Sequence, residues 1–133
     1  MAERFTVETG ERLTTVRIDR QVREAIPEGV SGTCTVFVRH TTAGVVVNEA
    51  ESRLLGDVES FLADLVPEGG WDHDRIDDNA DSHLRALLLG PGVTVPVEDG
   101  DPVLGTWQSV ILVECDGPRT REVAVAVTPG TGD

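Results

Sequence analysis

The spacing of apolar residues changes several times along the chain, and each change marks an element. From Thr33 to Arg39 apolar and polar residues alternate, which places Cys34, Val36, Val38 and, next in register, His40 on one face of a half-buried strand. After the corner His40-Thr41-Thr42-Ala43-Gly44, the unbroken run Val45-Val46-Val47 predicts a second, buried strand. The interval then lengthens. Leu54, Leu55, Val58, Phe61, Leu62 and Leu65 recur at helical spacing among Glu51, Glu59 and Asp64, so residues 51–65 read as an amphipathic helix that Pro67-Glu68-Gly69-Gly70 ends. A polar loop, Trp71 to Asp78, leads to a second helix. Asn79 or Asp78 is its cap, Leu84, Leu87 and Leu88 are its apolar residues, and Gly90 closes it.

Both ends of the chain read as strand. Phe5 to Glu8 and Leu13 to Ile18, joined at Gly10-Glu11, predict a hairpin. Asp19 is placed to cap a short helix with Val22, Ala25 and Ile26 as its stripe before Pro27. Val93 to Val97, Trp107 to Glu114 and Glu122 to Val127 are β-rich, and Asp116-Gly117-Pro118 marks a turn between the last two. Residues 128–133, rich in Gly, Thr and Pro, read as a frayed tail. Strands at both ends with helices between them predict one α+β domain over residues 1–133, built on a mainly antiparallel sheet with two to three helices.

Composition narrows the partners. The 133 residues are enough to bury about two-thirds of the extended surface, so no disulfide is needed. Asp and Glu number 24 against 11 basic residues, all of them Arg, for a net charge of −13. Nucleic acid and anionic membranes repel such a chain, because binding to either rests on cationic contacts to phosphate. Arg without Lys, with Asp and Glu in equal numbers, fits codon bias or a salt-adapted, halophile-like surface. No apolar run approaches 18 residues and the opening MAERFTVETG has no hydrophobic signal region, so the expected location is cytoplasmic. Cys34 and Cys115, far apart and outside any C-x-x-C motif, read as buried thiols.

The chemistry-bearing residues are few. His40 ends a strand beside the hydroxyls of Thr41 and Thr42. His73 lies in an acidic loop, and His83 opens a helix beside Asp81 and Ser82 with Asp77 and Asp78 upstream. Each setting can fix an imidazole tautomer. Three convergent neutral imidazoles with a carboxylate or water suit zinc or a similar divalent ion, although the spacing matches no metal motif and leaves solvated or capping histidines open. Asn48-Glu49, at the end of a buried strand, reads as a polar site or as the start of a helix. Gly105-Thr106-Trp107-Gln108 offers a stacking face and an amide, or a Trp closing over the core. Glu114, in an apolar strand, needs a partner, and Arg119 or Arg121 is available across the turn.

Taken in order, His40-Thr41-Thr42-Ala43, Asn48-Glu49, His73-Asp74, Asp78 to Ser82-His83-Leu84, Gly105-Thr106-Trp107-Gln108 and Glu114 resemble the YjbQ-like family, from about Phe5 to Val127. The family's usual functional label is secondary thiamine-phosphate synthase. The resemblance implies a β-sandwich-like sheet, a homotrimer, and one polar site, within a subunit or across subunits. In that site His40, Glu49, His73 and His83 are catalytic. Thr41, Thr42, Asn48, Asp78, Ser82, Trp107, Gln108 and Arg119 bind an anionic metabolite, and the three histidines hold a divalent metal such as Zn or Mg. The implied reaction joins a pyrimidine diphosphate to a thiazole phosphate. It wants cationic groups around the leaving diphosphate, of which the chain near the motif offers chiefly Arg39, Arg75 and Arg119. Metal-dependent hydrolysis and non-catalytic binding of a metal or anionic metabolite are the alternatives.

Overall fold

The apolar runs stack as two antiparallel sheets in a computed structural model that describes residues 2–131. The first sheet carries, in order, β1 (Ala2–Glu8), β8 (Thr120–Pro129), β3 (Gly32–Val38), β5 (Gly92–Glu98) and the short β6 (Asp101–Pro102). In the second, β7 (Ser109–Glu114) runs between β2 (Thr14–Arg17) and β4 (Ala43–Asn48). Helix α1 (Asp19–Ala25) follows β2, α2 (Ser52–Leu65) follows β4, and α3 (Ala80–Leu89) follows a short 3-10 turn at Asp72–Arg75. This is the α+β architecture that the element pattern predicts.

The core lies between the sheets. The alternating face of β3, Cys34, Val36 and Val38, meets Val45, Val110 and Leu112 of the second sheet, and Val22 of α1 with Ile26 just past its end closes one end. Strand β7 is buried along its whole length because both of its faces are covered. Val110 and Leu112 point to the first sheet, while Ile111 and Val113 lie with Leu62 of α2 in a second apolar cluster. A strand covered on both sides loses the period of two, which explains the unbroken Val110–Val113 run. Both cysteines are free and buried. Burial pushes the Cys34 thiol up, and burial followed by the nearby Glu114 pushes Cys115 up to about 12.

Several expectations give way. Residues 5–8 and 13–18 form no hairpin: β1 pairs with β8 and β2 with β7, so Gly10–Arg12 crosses from one sheet to the other. The crossing is anchored by Thr9 N–H on the Arg119 carbonyl at 2.9 Å and by Gly117 N–H on the Arg12 carbonyl at 3.0 Å. Any side chain at Gly117 would collide with the Glu11 carbonyl oxygen and lie 2.8 Å from Glu114 Cγ. Asp19 is not a cap. It is the first residue of α1, and its carboxylate accepts from Val110 N–H at 2.7 Å and from Arg17. The tail is not frayed at residues 128–130: Thr128 and Pro129 pair with β3, and Gly130 N–H donates to the Ser31 carbonyl at 2.8 Å. Residues 132–133 lie outside the described residues.

Helix α3 shows the largest departure. Its leucines predict an apolar buried face, yet Leu87 and Leu88 are exposed while Asp81, Ser82 and Arg85 are buried with Ala86. Arg85 is the cause. Its guanidinium donates to the Leu62 and Val66 carbonyls at the end of α2, at 3.0 and 2.7 Å, and to Asp81 at 2.7 Å. The Val66 carbonyl lies past the last turn of α2 and the Leu62 carbonyl has only a 3.3 Å bond from Val66 N–H, and bonding both from α3 turns its polar side inward. Phe61 and Leu65 of α2, expected in its buried stripe, are also exposed, because the contact with β2 and β7 covers only the Leu55, Val58 and Leu62 side.

Candidate functional site

The floor of the site is the pair Glu114–Arg121, both buried between the sheets' edges. Arg121 Nε donates to Glu114 Oε1 at 2.8 Å, and its terminal nitrogen reaches Glu114 Oε2 and the Thr42 hydroxyl, the latter at 2.8 Å. Thr9 Oγ1 donates to Glu114 Oε1 at 2.7 Å and Asp116 N–H to Oε2 at 2.9 Å. Burial alone would raise the Glu114 carboxyl, but Arg121, the Asp116 amide and the Thr9 hydroxyl together hold it below the ordinary range. Of the two candidate partners for Glu114, Arg121 is the one used. Arg119 turns outward onto the Asp116 carbonyl and carboxylate, at 2.8 and 3.0 Å.

His40 stands just past the end of β3, and β8 fixes its chemistry. Its Nε2 accepts from the Glu122 backbone N–H at 2.9 Å. A neutral imidazole has one lone pair, so this bond places the proton on Nδ1. Burial, and next the positive charge of Arg121, push His40 below its ordinary value, so the ring is neutral at pH 7. His40 therefore brings an N–H donor to the site, and no lone pair.

The other two histidines stack edge to face, with ring centroids 4.9 Å apart. The Asp116 carboxylate can only accept, so Asn79 turns its NH₂ there at 2.9 Å and its oxygen to His73 Nε2 at 3.1 Å. His73 Nε2 then carries a proton. Asn79 is thus a bridge and not a side-chain cap; Asp74 accepts from Ala80 N–H in that role, at 3.1 Å. The imidazole of His83 has no hydrogen-bond partner among the described residues. His40, Thr41, Thr42, Asp77, Asn79, His83, Asp116 and Arg119 line one open cleft of about 570 Å³. His73 buttresses it through His83 and Asn79.

The remaining candidates do not join this cleft. Ser82 is buried, donating to the Cys115 carbonyl and accepting from Arg12, so it is structural. Asp78, in the left-handed region at φ 53°, faces a neighbouring acidic hollow with Arg12 and Glu68. Asn48, Glu49, Trp107 and Gln108 lie at the opposite end of β4, with Arg17 around a shallow depression. There Asn48 Oδ1 accepts from Glu49 N–H at 2.8 Å, Gln108 Oε1 accepts from Gly105 N–H at 2.7 Å, and Glu51 is the residue that caps α2. Trp107 is 73% exposed, which rules out its closing over the core. One subunit alone therefore splits the expected single site into two.

The three imidazoles also do not form a metal centre as placed. Among the described residues no group of three or more His, Cys, Asp or Glu side chains is disposed to hold a metal ion. His40 has spent its lone pair, and a metal needs one. Asn79, Asp116 and Arg121 are site residues that sequence reasoning assigned to a cap, a turn and an ion pair. Their only signal is proximity to the histidine motifs.

A two-sheet α+β domain with a histidine-lined cleft at one end defines a class of small single-domain proteins, and its relatives are plain. The family described as UPF0047 protein YjbQ-like matches residues 3–130, and the chain belongs to it. A UPF0047 protein of Archaeoglobus fulgidus is 48% identical over 122 residues, covering 91% of this chain and 96% of that one. One from Methanocaldococcus jannaschii is 35% identical over 130 residues, covering 96% and 94%. Among solved structures, a hypothetical protein from Aeropyrum pernix K1 superposes with a TM-score of 0.93 at 41% identity, covering 98% of this chain and 99% of that one. A YbjQ-like protein of unknown function from Sulfolobus solfataricus gives 0.86 at 38% identity, covering 94% of each. No helix among the described residues is long and apolar enough to cross a membrane.

Proposed function

We propose that the His40–His83 cleft is the catalytic site of an enzyme acting on a small anionic metabolite. One observation carries this reading: two imidazoles line the same cleft in complementary states. His40 is neutral at pH 7 with a proton to donate in a hydrogen bond, and His83 has no hydrogen-bond partner on its ring among the described residues. A neutral donor stabilises developing negative charge, and an imidazole that spends neither nitrogen on the fold can exchange a proton with a bound molecule. Arg119, half-exposed at the rim, supplies the positive charge for the substrate.

Formation of thiamine phosphate, with diphosphate leaving, is the specific reaction that the family resemblance favours. Its charge demand exceeds what one cleft offers, since Asp77 and Asp116 stand beside Arg119. In the homotrimer that goes with this reading, the Arg17–Glu49–Trp107–Gln108 patch of one copy completes the cleft of the next. Support comes from the patch itself, whose side chains project with only local hydrogen bonds.

The test is thiamine phosphate formation from the two substrates by wild type and His83→Asn, with metal content measured on protein purified without chelator. The expected loss in kcat is about 10²–10⁴-fold, with no change in bound metal. Unchanged turnover in His83→Asn removes His83 from the chemistry. Stoichiometric metal lost in that variant reassigns the ring as a ligand.

A further inference from the structure

We infer that Asp116 and Asn79 are positioning residues of the cleft, passing a fixed orientation through His73 to the ring of His83. The chain of bonds is independent of any reaction, and its bearing on turnover rests on the reading of His83 as the ring that exchanges a proton. The first link is set by hydrogen-bond polarity. A carboxylate can only accept, so Asp116 admits one end of the Asn79 amide, its NH₂, at 2.9 Å. The amide oxygen is left for His73 Nε2 at 3.1 Å, and a ring nitrogen facing that oxygen carries the proton. With Nε2 held at its tip and Cβ at its base, the His73 ring keeps one plane. That plane meets His83 edge to face, with ring centroids 4.9 Å apart and planes at 78°.

The surroundings are arranged for this chain of bonds. Asn79 opens α3, where an Asn side chain ordinarily caps the helix, yet it makes no cap bond. Asp74 takes that task by accepting from Ala80 N–H at 3.1 Å, which frees both ends of the Asn79 amide. Asp116 is itself held. Its carboxylate accepts from Arg119 at 3.0 Å, Arg12 Nε stands 3.9 Å away, and only 14% of the side chain is exposed. The other carboxylate near His73 is that of Asp77, 4.0 Å from Nε2 and 64% exposed, too far for a hydrogen bond. Asp116 also reaches the opposite half of the cleft. Its backbone N–H donates to Glu114 at 2.9 Å, and Glu114 holds the Arg121 whose charge acts on His40. One residue, through its side chain and its own amide, thus ties both imidazoles of the cleft to a common support.

Side-chain nitrogen-15 spectra of the full chain decide the point. Wild type is expected to show His73 as the Nε2–H tautomer, with its ring protons in contact with those of His83. In Asp116→Asn a side chain of the same shape no longer dictates which way the Asn79 amide faces. There His73 is expected to become a mixture of tautomers, with altered His83 ring-proton shifts. Asn79→Ala cuts the chain and is expected to produce the same two changes with Asp116 intact. Thiamine phosphate formation in both variants is expected to fall about 10- to 100-fold in kcat with KM within about twofold, since misplacement costs rate more than binding. His73 still held as Nε2–H in Asp116→Asn overturns the inference. So does a tautomer change that leaves the His83 ring protons where they were, and so do altered rings with unchanged kcat. If wild type forms no thiamine phosphate while the rings change as expected, the positioning stands and the proposed reaction falls.

Discussion

The two ends of strand β4 are held by different kinds of bond. At the Ala43 end, hydrogen bonds join residues remote in sequence: Thr9 to Glu114, Arg121 to Thr42, the Glu122 amide to His40, and Asn79 to Asp116. At the Asn48 end, the side chains of the exposed patch answer to their neighbours, Asn48 to Glu49, Gln108 to Gly105 and Glu51 to the first turn of its own helix, and the long-range bond of Val110 N–H to Asp19 anchors α1 behind them. The first end is fixed by the whole fold, so a proton on His40 has a defined place before any substrate arrives. The second is a set of local turns presenting an exposed Trp. Chemistry that depends on proton position belongs at the first end, and contact completed by another molecule belongs at the second.

Glu114→Gln strikes the first end hardest. It leaves the Arg121 guanidinium buried beside a neutral amide, and about 3 kcal/mol of unfolding free energy is expected to be lost in chemical denaturation. The matching change at the other end, Glu51→Gln, removes a charged but exposed cap and is expected to cost less than about 1 kcal/mol. Equal losses erase the contrast. The same network sets the acid limit. Glu114 in the folded state sits below its ordinary value of 4.5, and Asp81, which burial would raise but Arg12 and Arg85 pull down, sits below 3.8. Their contribution is complete above those ordinary values and is lost as pH falls through the depressed folded ones. Wild-type stability is therefore expected to hold to that point and drop below it, and Glu114→Gln to lose its share of the drop.

His40 sharpens the comparison at a smaller scale. Its folded value lies below the ordinary 6.5, so between the two the unfolded chain binds the extra proton and stability falls as pH decreases through that window. Protonation also sets an Nε2–H against the Glu122 N–H and forfeits that bond. The groups that set the balance are Arg121 and Arg119, which disfavour the cation, and Glu114 and Glu122, which favour it. Nitrogen-15 spectra at pH 7 are expected to show the Nδ1–H tautomer for His40. The Nε2–H tautomer would contradict the donor role.

Much of the fold is legible where one face of an element meets one core. The alternation at Cys34, Val36 and Val38 and the helical recurrence of Leu55, Val58 and Leu62 both translate directly into packing against the sheets. Legibility fails where a long-range polar bond outranks the local pattern. Gly10-Glu11 looks like a hairpin turn, but the pairing of β1 with β8 is decided more than a hundred residues away. Leu87 and Leu88 look like core, but Arg85 is drawn inward by carbonyls at the end of another helix. The site divides likewise. The histidine motifs are visible as strings. That His40 and His83 share a cleft while Trp107 and Glu49 do not is a property of topology, since β4 carries its two flanking motifs to opposite ends.

Trp107→Ala gives the smallest expected effect on the isolated subunit and the most telling one on assembly. The ring is exposed and sits on a turn that Gln108 and Gly105 hold by themselves, so the loss in stability of a dissociated chain is expected to stay within about 0.5 kcal/mol. If the patch completes a neighbour's cleft, the same change removes a large aromatic contact from the subunit boundary. Light-scattering mass, taken in dilute and in concentrated salt, is expected to be three times the chain mass for wild type and to fall for Trp107→Ala. With 24 acidic against 11 basic residues, repulsion between copies is strongest in dilute salt, so the variant is expected to dissociate there first. A variant that keeps the wild-type mass and turnover in both conditions would show that the Asn48 end is an ordinary surface, and that the cleft at the Ala43 end works alone.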